Sequence, residues 1–159
     1  MTARTTQAGN LSVTPLEDRA ESIPALAFHA SISLSVGSDS LTLTVGGVCI
    51  KLSGLTSRQR STLEERYGIF CGERGSDPVM KVEVTRAPRP AFLQVTGKLE
   101  YYRVDTRWEG EVLLACSYEW AGWLDRSQGR GGLALAQVTE KDPGAFDRSL
   151  ENFLRVAYA

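Results

Sequence analysis

Polar and apolar residues alternate with a period of two from Phe28 onward. In the run His29 to Val36, Ile32, Leu34 and Val36 share one face and the serines the other, the signature of a half-buried strand. Gly37-Ser38-Asp39-Ser40 reads as a turn, and Leu41 to Val45 alternates again, which predicts a hairpin. Gly46-Gly47 marks a further turn or bulge before a short strand, Val48 to Leu52. The period then changes. Thr56-Ser57-Arg58-Gln59 has the form of a capping box, with Leu63, Tyr67 and Phe70 on the apolar side of the helix it opens and Gly68 placed to close it in a left-handed conformation.

Gly72 to Pro78 reads as a loop, and in Val79 to Val84 the residues Val79, Lys81 and Glu83 face opposite to Met80, Val82 and Val84. Ala87-Pro88-Arg89-Pro90 breaks the chain. Phe92 to Val95, Glu100 to Val104, Val112 to Tyr118 and Gly132 to Ala136 are short strand candidates. The turns between them suit an antiparallel meander rather than alternating βαβ units. Finally Asp142 caps a helix with Pro143 at its first position. Phe146, Leu150, Phe153, Leu154, Ala157 and Tyr158 form its apolar stripe, and no closing glycine follows. The predicted class is α+β, mainly antiparallel sheet, with a short helix near 56–68 and a C-terminal helix near 143–159. Residues 1–22 form an aperiodic lead-in, 23–141 the β-rich domain, and 142–159 the final helix.

Composition narrows the function classes. The chain has 159 residues, 42% hydrophobic and 23% charged, as an ordinary globular domain has. Eighteen basic residues balance nineteen acidic ones, which leaves no electrostatic footprint for a nucleic acid or an anionic membrane. The start lacks the apolar core of a secretory signal, so the expected compartment is the cytoplasm. Cys49, Cys71 and Cys116 are odd in number and lack metal-ligand spacing, and they read as buried free thiols.

Candidate chemistry is sparse. The glycines at Gly129 to Gly132 have no Lys-Ser/Thr after them and read as a hairpin turn, not a phosphate loop. His29, the single histidine, has no obvious catalytic partner. Asp105, Glu109, Glu111, Glu119 and Asp125 fall in the same meander without a spacing that singles out an acid/base pair. The aromatic cluster is the more informative feature. Tyr102, Arg107, Trp108, Trp120 and Trp123 form a candidate recognition surface, set against the commoner fate of such rings, which is to fill a core. No catalytic, cofactor-binding or metal-binding position is assigned.

Read together, Leu55 to Arg60, Glu65 to Phe70, Tyr102-Arg103-Val104, Gly122-Trp123-Leu124-Asp125 and Ser149 to Val156 resemble the N-terminal region of bacterial HPr kinase/phosphorylase-like proteins. The resemblance implies that the final helix leads into a P-loop kinase domain beyond Ala159. ATP and magnesium would be bound there, leaving this chain as a non-catalytic portion that flanks the kinase core and contributes to recognition of a protein or peptide substrate. Phosphoryl transfer needs the loop, its lysine and the metal ligands together. The alternative is a stand-alone module that binds a small molecule or protein through the aromatic and arginine residues.

Overall fold

The computed structural model describes residues 37–72, 77–87, 92–93 and 102–159. The lead-in 1–22, the strand expected at Ile32 to Val36, His29, the Pro88 and Pro90 break and most of the strand expected at Phe92 to Val95 lie outside them. The described residues form an α+β domain around a seven-stranded, mostly antiparallel sheet. In chain order its elements are β1 (Asp39–Val45), β2 (Val48–Leu55), α1 (Ser57–Tyr67), a 3-10 turn (Gly68–Phe70), β3 (Met80–Arg86), β4 (Asp105–Glu109), β5 (Val112–Cys116), β6 (Trp120–Asp125), β7 (Arg130–Leu135), α2 (Val138–Lys141) and α3 (Pro143–Tyr158). The strand order is β1-β2-β3-β7-β6-β5-β4.

The β4 to β7 meander is antiparallel throughout, as its turns predict. The centre of the sheet departs from that pattern: β3 runs parallel to both β2 and β7. Parallel neighbours need a long crossover, and α1 with the following loop supplies it between β2 and β3. Two strands were not expected from the pattern, β4 and β6. The segment Tyr102 to Val104, expected to be extended within a strand, precedes β4 instead.

Local signals hold at the helix starts. The Thr56 hydroxyl accepts from the Gln59 amide at 3.2 Å, and Gln59 Oε1 accepts from the Thr56 amide at 2.9 Å, completing the capping box. Asp142 accepts from the Gly144 amide at 2.9 Å, with Pro143 at the first helical position as expected. Gly68 departs from expectation. Its φ is −50°, right-handed, and the chain tightens into the 3-10 turn, which leaves Phe70 exposed rather than on the buried stripe.

Both longer helices pack on one face of the sheet. Leu63 of α1 and Phe146, Leu150, Phe153 and Leu154 of α3 join Leu43, Ile50, Leu52, Val82, Trp120 and Leu133 in one core. The apolar stripe of α3 is therefore covered by the domain's own strands. Arg66 bridges the two helices by ion pairs to Asp147 at 2.8 Å and Glu151 at 3.1 Å, exposed contacts that contribute up to about 1 kcal/mol each. Arg86 at the end of β3 pairs with Glu140 of α2. On the second face a smaller cluster of Ala87, Phe92, Leu114, Cys116, Ala121 and Ala134 covers one end of β5, β6 and β7.

Candidate functional site

Strand register divides the aromatic and arginine residues between the two faces. Along β6, Trp120, Gly122 and Leu124 point to the helices, while Ala121, Trp123 and Asp125 point to the second face. Trp120 is fully buried, packs edge-on against Phe153 with centroids 5.9 Å apart, and donates its indole N–H to the Tyr102 hydroxyl at 3.0 Å. It belongs to the core and is removed from the recognition surface. Tyr102 acts as its polar partner while remaining 37% exposed. Trp108 lies opposite Leu113, on the helix side near the sheet edge, with the Arg126 guanidinium 4.8 Å from its ring centroid.

Arg107 and Trp123 come together on the second face. Leu114 pairs with Arg107 on one side and Trp123 on the other, so the three share one row across β4, β5 and β6. The row continues through Gly132 to Glu83 on β3. A Cβ at Gly132 would lie 2.4 Å from the Trp123 Nε1, which shows that the indole is laid directly over this glycine. Arg130 places its guanidinium 5.9 Å from the Trp123 centroid. Arg107 pairs with Glu109, and its Nε is buried with no hydrogen-bond partner. A buried donor left unmatched is uncommon and requires an explanation.

Four of the five carboxylates of the meander are engaged by local partners. Asp105 is held by Arg103, with N–O distances of 2.6 and 2.5 Å. Glu109 pairs with Arg107 and Glu119 with Arg148, the latter at 3.2 Å. Asp125 accepts from the Ser127 hydroxyl at 2.7 Å and the Gln128 amide at 3.1 Å, closing the β6–β7 turn. The Ser127 bond is the main reason its carboxyl is held below the usual range. None of the three cysteines forms a disulfide; Cys49 and Cys116 are buried and Cys71 is partly exposed. Burial pushes the Cys116 thiol up to about 11 and raises that of Cys71 as well.

Among the described residues no three His, Cys, Asp or Glu side chains are grouped to hold a metal ion. Nor is any described helix long and apolar enough to cross a membrane. Comparison with family models, curated proteins and solved structures returned no match. The candidate site thus rests on geometry, and three of its residues escaped sequence reasoning. Arg130 was read only as part of a turn, and Lys81 and Glu83 only as the wet side of a strand. Their alternation is visible in the sequence, but not the register that sets Lys81 opposite Arg130 and Glu83 in the row of Gly132 and Trp123.

Proposed function

We propose that the chain is a non-catalytic recognition domain that uses the second face of its sheet, in the setting of a bacterial HPr kinase-like protein. The observation carrying the recognition role is the Trp123 indole laid over Gly132, flanked by Arg130 and in one row with Arg107, whose buried Nε–H lacks an acceptor. A partner carboxylate can pair with the Arg107 guanidinium, and an apolar or aromatic group of the same partner can pack on the accessible part of the Trp123 ring. The kinase setting rests on the resemblance of Leu55 to Phe70, Gly122 to Asp125 and Ser149 to Val156 to the family's N-terminal region. In that setting ATP and magnesium belong to a P-loop domain following Ala159, and this domain flanks it to help select a protein or peptide substrate.

The coding sequence beyond Ala159 tests the setting: a P-loop motif is expected there, and a stop codon with no such motif downstream rules it out. The recognition role is tested in the full-length protein. Trp123→Ala with Arg107→Gln should leave the protein folded, by circular dichroism, and ATP binding unchanged while weakening phosphorylation of the protein substrate through KM. An unchanged KM would refute recognition through this face.

A further inference from the structure

One feature of the second face is unfavourable for the fold by itself. Lys51 of β2 pairs in register with Lys81 of β3, and Lys81 pairs with Arg130 of β7. Residues directly opposite on neighbouring strands point the same way, so three cations stand side by side across three strands. Strand spacing places them across about 10 Å. Like charges in such positions destabilise a sheet, and acidic partners normally relieve them. Among the described residues none of the three makes an ion pair. Asp125 stands opposite Arg130 in the next strand and is attracted by its charge, which partly relieves that end of the row, while its carboxylate hydrogen-bonds to Ser127 and Gln128 without a direct ion pair to Arg130. Lys81 and Arg130 are exposed, and Lys51 is half-buried. Arg130 also reaches over Trp123, which joins the cation row to the aromatic platform.

We infer that the row Lys51-Lys81-Arg130, with Trp123 in the neighbouring row beside Arg130, binds a short acidic peptide segment of a partner protein. This rests on the recognition role proposed for the second face and names its partner chemistry. A flat row spanning about 10 Å matches three residues of extended peptide, whose first and third side chains share one face about 7 Å apart and bring two carboxylates onto the three cations. Exposed Glu83, in the neighbouring row, limits how far an anionic polymer can extend, which favours a short acidic stretch over a continuous phosphate backbone.

The experiment measures fluorescence anisotropy of a labelled short oligoglutamate peptide titrated with the whole chain at low salt. Binding that falls with added salt is expected, and Lys81→Gln with Arg130→Gln should weaken it about tenfold, a change of about 1.4 kcal/mol. Adding Lys51→Gln should weaken it further. Arg58→Gln with Lys141→Gln, which remove two exposed cations from α1 and α2, should leave it unchanged. Circular dichroism confirms that each variant is folded. The inference is overturned if the wild-type chain does not bind the peptide, if the helix variants weaken binding equally, or if oligothymidylate or pyrophosphate competes more strongly than unlabelled oligoglutamate. A failure here with the KM effect of Trp123→Ala intact would remove the acidic partner and leave recognition by this face standing.

Discussion

The indole N–H of Trp120 donates to the hydroxyl of Tyr102 across 3.0 Å, joining a fully buried ring to one that is 37% exposed. Tyr102→Phe removes the acceptor and leaves a buried donor unmatched, which should cost about 1–3 kcal/mol. Trp120→Ala also empties the space against Phe153 and should cost about 3–5 kcal/mol. Urea denaturation of both variants checks this order. A loss of partner binding in Trp120→Ala would accordingly report loss of folding, whereas Trp123→Ala tests the surface itself.

Two glycines on adjacent strands should respond in opposite ways to alanine. A Cβ at Gly122 would meet the Phe153 ring at 2.7 Å and the Gly132 carbonyl oxygen at 3.0 Å, inside the core. Neither neighbour can retreat, so Gly122→Ala should lose about 1–3 kcal/mol. At Gly132 the obstacle is the Trp123 indole, which is only half-buried and can swing outward. Gly132→Ala should stay within about 0.5 kcal/mol of the parent in stability, because reduced freedom of the unfolded chain offsets the shift. Its tryptophan emission should move to the red as Trp123 lifts off the sheet, and acidic-peptide binding should weaken. Equal melting temperatures for the two variants would contradict the assignment of faces.

Gly122 also shows why β6 was not legible in the sequence. Trp120-Ala121-Gly122-Trp123 places its two large rings three apart, which breaks the alternation that marks a strand. The missing apolar side chain at Gly122 is supplied from α3 by Phe153, a contact that no local pattern records. The strand β4 was obscured by its charges: Asp105, Arg107 and Glu109 occupy one side, as suits a strand at the end of the sheet order. By contrast, the caps at Thr56 and Asp142 depend on residues within three positions of each other, and sequence alone located both. The candidate site lay between these extremes. Trp123 and Arg107 were singled out, but separating them from Trp120 and Trp108 required the register of four strands.

The β6–β7 turn should contribute to acid sensitivity. Asp125 is held below the usual carboxyl range chiefly by the Ser127 hydroxyl, with further support from the Gln128 amide. A carboxyl depressed in the folded state adds stability above its ordinary value, near pH 4, and loses it as the pH falls through the folded value. Stability should therefore decline below about pH 4, and Asp125→Asn should flatten that decline while lowering stability at neutral pH. Urea midpoints measured from pH 2 to pH 7 provide the check, and parallel curves for parent and variant would count against the turn's part.

At the other end of the pH scale the relevant group is Cys116, fully buried in the smaller cluster that also holds Phe92. Burial disfavours its thiolate and pushes the thiol up to about 11, whereas in the unfolded chain it ionises near its ordinary value of about 8.5. Above that ordinary value the unfolded state binds fewer protons than the folded one, so stability should fall as the pH rises toward 11. The slope from this group is about 1.4 kcal/mol per pH unit. Cys116→Ala removes the titration, although it also costs about 1 kcal/mol in lost packing. The comparison is therefore made on slopes between pH 8 and pH 10, where the variant should be flatter than the parent. The same burial makes Cys116 slow to react with a thiol reagent in the native state, with partly exposed Cys71 labelled first. Equal labelling rates at Cys71 and Cys116 would mean that the cluster around Phe92 opens readily, and the alkaline slope should then vanish with it.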